Sequence, residues 1–134
     1  MSEYKDVLAF HDKFKIPRAP EPMLLDYGTT QFRLKFLQEE YSELVDAIGR
    51  NYLPDIADAL IDLVYVAIGT AIFYGIPWEE CWDRVQKANM AKIPTPSASA
   101  SKRGSSLDIV KPEGWKAPDH TKSVGEGPWK VFQP

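Results

Sequence analysis

The stretch LPDIADALIDLVYVAIGTAIF, residues 53–73, limits what this chain can fold into more than any other. From Ile56 to Phe73 it is apolar nearly all round at helical spacing, so a helix here must be buried on most sides. At 134 residues the chain is of one-domain length, with a single modest core. Three neighbouring helices could cover such a rod, but a second subunit covers it more completely, and the expectation is an obligate homodimer. The longest uncharged run, Leu63 to Ile76, has 14 residues, short of the roughly 20 needed to span a bilayer. Asp58 and Asp62 stand just before it, so no membrane partner is expected.

The rest of the chain divides near residue 93. Before it, apolar residues recur with helical spacing. The first helix is expected from about Glu3 to Phe14, with Ser2 as N-cap and KIPRAPEP ending it. A second should begin at Thr29 or Thr30 and stop at Ile48, with Gly49 as its C-terminal stop. The third is the apolar helix, with Pro54 in its first turn and an end near Gly75. A fourth opens at IPWEECWDRVQKANMAK, with Glu79 and Glu80 near the positive end of its dipole. No stretch alternates convincingly as a strand, so the fold class is all-α, a four-helix bundle with an irregular tail. Residues 94–134 begin with IPTPSASASKRGSS, a linker composition. Trp115, Trp129 and Phe132 nevertheless make this tail too apolar for pure disorder.

Charge and cysteine usage narrow the function classes. Residues 1–93 hold 10 Lys/Arg against 15 Asp/Glu, and residues 94–134 hold 6 against 4. An acidic body gives no nucleic-acid footprint. The lone Cys81 suits a reducing compartment. The charged N-terminus lacks a signal-peptide core, so a cytoplasmic location is expected.

The acidic residues themselves are patterned. On a wheel of about 100° per residue, Glu39, Glu43 and Asp46 fall close together, with Glu40 at the edge. Leu37, Tyr41, Leu44, Val45 and Ile48 take the opposite side. Asp55, Asp58 and Asp62 share one narrow face of the apolar helix. The glutamates alone could be a solvated face. Aspartates are poor helix formers and costly to bury, so three on a mostly buried helix need a partner. No set of Lys or Arg at matching spacing on the neighbouring helices could neutralise them all, whereas Mg²⁺, a hard cation, takes oxygen ligands plus waters. Scarcity of His and Cys argues against zinc, and the lack of Glu-x-x-His against a di-iron bundle.

Glu39-Glu40-x-x-Glu43 followed by Asp55-x-x-Asp58 resembles the E-E-x-x-E…E-x-x-D signature of the all-α nucleoside triphosphate pyrophosphohydrolases. That group includes MazG, the dimeric dUTPases and phosphoribosyl-ATP pyrophosphohydrolase. FHDKFKIP (10–17), EEYSEL (39–44), DIADALIDLVYVAIGTA (55–71), KANMAK (87–92) and IVKPEGWKAPD (109–119) extend the likeness over most of the chain, nearest to the short MazG-like branch. Asp55 departs from the usual Glu. The resemblance implies two or three Mg²⁺ ions, Mn²⁺ being an alternative, and cleavage of a (deoxy)nucleoside triphosphate to monophosphate and pyrophosphate. It makes residues 1–93 the catalytic domain, with the tail packing on the body or on the partner of a dimer or dimer of dimers. Glu39, Glu43 and Asp58 would be principal ligands and Glu40 the base or orienter of water, itself a possible ligand. Asp55 and Asp62 are further candidates.

Substrate contacts are more open. The resemblance puts Asn89 and Lys92 at the site, although a helix-end lysine also suits the dipole. Arg33 is placed either to touch phosphate or to pair with Glu40. Phe32 and Phe36, on the acidic side before Glu39, could stack a base or simply pack. His11 could bond a base or sugar, or be structural. Lys111 and Trp115 could help the tail close the site. Two alternatives stay in view: phosphoribosyl-ATP as substrate, and a non-catalytic interaction module whose acidic face binds a cation.

Overall fold

Helices form where the apolar spacing places them, and their ends are set by local chemistry. The computed structural model describes residues 2–134. Helix α1 spans Glu3–Lys13, and the Ser2 side chain accepts from the Lys5 amide at 3.3 Å. Helix α2 spans Tyr27–Gly49 and begins earlier than Thr29. Asp26 is its cap, accepting from the Thr29 amide at 3.2 Å, while the Thr30 hydroxyl donates to the Leu25 carbonyl. Gly49 is the last helical residue rather than the stop. The left-handed turn falls on Asn51 (φ 52°), a residue type that tolerates this conformation. Helix α3 spans Leu53–Phe73, with Pro54 in its first turn, and α4 spans Trp78–Met90.

These elements belong to two compact units, the first running to Trp78 and joined by Val124–Pro134, the second comprising Glu79–Ser123. The change in composition near residue 93 therefore lies inside the second unit. In the first unit, α2 and α3 pack as an antiparallel pair with α1 against α3. Val7, Ile68 and Ile72 form the buried core, flanked by Tyr4, Leu8, Tyr65 and Trp78. Strand β1 (Leu24–Leu25) pairs in parallel with the last strand of the chain, Val131–Phe132. The end of the tail thus returns to its own body, adding a strand pair where none was expected.

The second unit is α4 with the tail's first part. Strand β2 (Ile93–Pro94) pairs antiparallel with β3 (Ile109–Val110), enclosing a short 3₁₀ turn at Ala98–Ala100. Asp108 organises this loop, accepting from Ser101 Oγ and Arg103 Nη2, both at 2.6 Å. A linker composition has here become an ordered turn, because a single carboxylate collects its polar side chains. A four-residue helix α5, Thr121–Val124, follows, and β4 is the Val131–Phe132 strand.

Within one chain, part of the apolar surface for whose burial a second subunit was expected is left open. The stripe Leu34, Tyr41, Val45 and Ile48 of α2 is exposed in the single chain, as are Leu53, Leu60, Ile61 and Val64 of α3. Only the C-terminal half of α3, from Val66, is buried over much of its surface. Within the first unit the principal helix neighbour of α2 is α3, which covers one of its sides. By length and composition alone α3 could cross a membrane, with mean hydropathy 1.9 over its most apolar window, 39% of it buried.

The end of α3 is pinned by a glycine. Gly75 has φ 67°, and a Cβ there would lie 2.3 Å from the Glu21 carbonyl oxygen. The loop before α2 is held at this point, with the Ala19 amide donating to Phe73 O and the Met23 amide to Tyr74 O, both at 3.0 Å. Gly75→Ala is expected to destabilise the first unit by about 2 kcal/mol or more, combining left-handed strain with the clash. Urea unfolding followed by circular dichroism measures it.

Candidate metal centre

Where α2 and α3 run side by side, their facing surfaces are not apolar throughout. Arg33, Glu40 and Ala47 recur every seven residues along one face of α2; Arg33 and Ala47 are buried, and Glu40 is half-buried, as are Phe36, Leu37 and Leu44. The α3 face opposite carries Ala59, Asp62, Val66, Gly69 and Phe73 at the same spacing. Glu40 therefore lies on the side of α2 that turns toward α3, half-buried and with one carboxylate oxygen out of solvent. The wheel had shown Glu40 apart from Glu39. It could not show that this difference marks the buried side.

Glu40, Glu43 and Asp62 each offer a carboxylate oxygen, and these atoms all lie within 4.8 Å of one another. Oxygens around one octahedral Mg²⁺ are at most about 4 Å apart, twice the ion's bond length, so the trio would draw together slightly to share one cation. Glu40 Oε2 is buried and has no hydrogen-bond partner among the described residues. Burial first, then the charges of Glu43 and Asp62, push the Glu40 carboxyl above its ordinary value, with a hydrogen bond to Glu43 and the charge of Glu39 adding to the shift. Like-charged oxygens held this close, one of them unsatisfied, are a donor set that a hard cation completes.

The other acidic candidates take different places. Glu39 is exposed, close enough to act on Glu40 by charge but outside the converging trio. Asp58 is exposed on the wall of an adjoining cleft of about 420 Å³, which Glu43, Asp46, Arg50 and Asp55 also line. Asp55 is bonded by Arg50 Nη1 at 2.8 Å, and Asp46 by Arg50 Nε at 3.0 Å. Arg50 thus pairs with Asp55, one of the three aspartates that no set of Lys or Arg was expected to neutralise together, and with Asp46 of α2. The Asp46-x-x-x-Arg50 spacing was a readable signal for half of this arrangement.

Arg33 is only 6% exposed. Its Nε donates to Thr70 Oγ1 and its Nη2 to the Val66 carbonyl, each at 3.1 Å. Its guanidinium lies 5.3, 5.2 and 4.8 Å from the ring centres of Phe32, Phe36 and Phe73. The structure places it between helices, bonded to neither a carboxylate nor open solvent. Phe32 is exposed and Phe36 half-buried, 6.1 Å apart between centroids. His11 is 3% exposed, edge-on to Phe73, and its Nδ1 has no partner among the described residues. Burial and then the charge of Arg33 lower its pKa below 6.5, which keeps the imidazole neutral.

In the second unit, the Trp115 indole N–H donates to the Ala88 carbonyl at 2.7 Å. Lys92 and Lys111 both approach its ring, their Nζ atoms 5.3 and 4.9 Å from the centroid. Asn89 is exposed on α4. Three of the four candidates from this part of the chain therefore cluster on one indole.

A helical chain whose central antiparallel pair presents converging carboxylates belongs to the all-α class of acidic, metal-type sites. The chain is a member of the phosphoribosyl-ATP pyrophosphohydrolase family, whose model matches residues 7–89, more than half of its length. Membership points to pyrophosphohydrolase chemistry and to metal dependence. An uncharacterized protein of Acanthamoeba polyphaga mimivirus is 44% identical over 48 residues, covering 36% of this chain and 19% of the viral protein. The chain thus spans about a fifth of that relative's length.

The raised Glu40 pKa gives a signed prediction. A carboxyl whose folded pKa lies above 4.5 favours the fold when protonated, and that contribution is lost as pH rises through the folded value. With chelator present, Glu40→Gln should melt a few degrees above the native protein near pH 7. The gap should close toward about pH 4, where Glu40 is itself protonated. Differential scanning calorimetry across pH reads both arms, and added Mn²⁺ should raise the native Tm but not that of the variant.

Proposed function

We propose that this protein is a Mg²⁺-dependent pyrophosphohydrolase of (deoxy)nucleoside triphosphates, releasing a monophosphate and pyrophosphate. The observation that carries this reading is the convergence of Glu40, Glu43 and Asp62 around an unsatisfied buried oxygen. Glu40, Glu43 and Asp62 would hold the first ion, with Glu39 and Asp58 as ligands for another. When bound, Mg²⁺ neutralises phosphate charge and acidifies water; Mn²⁺ could substitute. The Glu40 carboxylate oxygen not held by the ion would then accept the proton of the water that attacks the α-phosphorus, as the bond from that phosphorus to the bridging oxygen breaks and pyrophosphate departs. Asp55, tied to Arg50, shapes the cleft instead of ligating.

A second substrate, phosphoribosyl-ATP, is favoured by the description of the matching family. It requires cleavage of the same kind of anhydride. The preference for simple triphosphates rests on the tail's likeness to the short MazG-like branch.

The test is product analysis with Mg²⁺ on canonical and deoxynucleoside triphosphates and on phosphoribosyl-ATP, scoring pyrophosphate separately from orthophosphate. Pyrophosphate plus monophosphate, absent with chelator, is expected. Glu40→Gln should lower kcat by about 10²–10⁴. Orthophosphate plus diphosphate would overturn the cleavage position. No turnover of any substrate by the folded protein would favour a cation-binding interaction module.

We also propose that a second copy covers the exposed apolar residues of α2 and α3, since contiguous apolar surface of this kind marks an association site. A soluble, cytoplasmic homodimer, able to pair again as a dimer of dimers, is the form expected. Ile61→Glu, at an exposed position of α3, should turn the dimer into a monomer in analytical ultracentrifugation. An unchanged dimer would place the interface elsewhere.

A further inference from the structure

The metal centre proposed above needs two helices, each acidic, held together where their charges repel. Glu40 and Glu43 come from α2 and Asp62 from α3, and no hydrogen bond between these carboxylates and an opposing cation is seen among the described residues. Something else must set the register. Along α2, Arg33 lies seven residues before Glu40, about 10 Å along the axis and on the same face. Along α3, Val66 lies one turn after Asp62, and Thr70 one turn further. The helices run antiparallel, so the Arg33 contacts to Val66 and Thr70 continue the alignment that sets Glu40 against Asp62.

We propose that Arg33 is a positioning residue for the metal centre. It touches no carboxylate of the trio and acts through helix register. Its two bonds run to the partner helix at 3.1 Å each, one to backbone and one to the Thr70 hydroxyl, which itself donates to the Val66 carbonyl at 2.8 Å. A fork with one tine on a main-chain oxygen reads the position of α3 along its axis, because a shift by one residue would remove that acceptor. Three rings close around the guanidinium and limit its rotamers.

The space for this group is made by Gly69. A Cβ at that position would stand 3.1 Å from Arg33 Nη2 and 3.3 Å from His11 Nε2. Glycine on α3, histidine on α1 and arginine on α2 therefore fit one another at a single point. The exposed alternative is weaker. Arg50 also joins the two helices through Asp46 and Asp55, but both pairs face solvent and are screened. Lysine cannot replace Arg33 in this role, since a single ammonium cannot reproduce the planar two-bond fork.

The inference rests on the metal reading, and the test separates their failures. Mn²⁺ binding to the metal-free full-length protein is measured by isothermal titration calorimetry and by loss of the free-ion EPR signal, for the native chain, Arg33→Lys and Thr70→Val. Arg33→Lys is expected to weaken Mn²⁺ binding by about tenfold or more, the scale on which groups supporting a metal's ligands act. Thr70→Val, which removes one acceptor and preserves shape, is expected to weaken it less but in the same direction, with helicity unchanged. This variant keeps the test informative should Arg33→Lys fold poorly. In turnover assays the weakening should appear as a higher Mg²⁺ requirement, with kcat recovered at saturating metal. Native affinity in both variants, even with a lowered Tm, would overturn the positioning role and leave the metal centre standing. A native protein that binds no Mn²⁺ would overturn both.

Discussion

The antiparallel contact between α2 and α3 is the interaction on which the rest of this structure depends. It places Glu40 and Glu43 against Asp62, which is unfavourable without a cation. Two arginines frame that repulsive stretch, Arg33 toward one end and Arg50 toward the other. They differ in environment. Hydrogen bonds from a buried charged donor contribute roughly 1.5–3 kcal/mol each, so Arg33 dominates, while Arg50 works in screening solvent. The core of Val7 of α1 with Ile68 and Ile72 of α3 begins level with Arg33, whose α3 contacts are Val66 and Thr70. Stability is thus concentrated at one end of the helix pair, and the converging carboxylates sit where packing is thinner.

The thinner packing has a second consequence. Leu53, Leu60, Ile61 and Val64 of α3 and Tyr41, Val45 and Ile48 of α2 are all exposed in one chain. These residues flank the acidic trio in sequence on both helices. A partner copy seated there would add the apolar support that the single chain lacks, and it would stiffen the helices that carry the carboxylates. Fold completion and site rigidity would then be the same event.

The helices were legible because apolar periodicity and Pro/Gly punctuation are local signals. Ser2, Pro54 and the long apolar run gave α1 and α3 almost at their observed limits. Asp26 escaped notice as a cap because Thr29 and Thr30 offered competing ones, and Asn51 took the turn assigned to Gly49 because the chain needed one more helical residue. The short strand pairs were invisible. Val131–Phe132 meets Leu24–Leu25 across most of the chain's length, and two-residue strands carry no alternation. Among site residues, the six carboxylates stood out as a group by spacing. Which three converge, and that Asp55 is taken by Arg50, depends on helix rotation that a wheel for one helix does not contain.

The amino-acid sequence by itself determined the helical class, the two acidic helix faces and the family, because each of these is written in spacing along the chain. Tertiary structure alone decided that Glu40 turns inward while Tyr41 and Val45 stay exposed, and that Arg33 is a buried tie between helices. A helix's own pattern defines its faces, but only the neighbour it packs against decides which face loses water. For α2 that neighbour is α3, whose Gly69 leaves room for the Arg33 guanidinium where even a Cβ would crowd it.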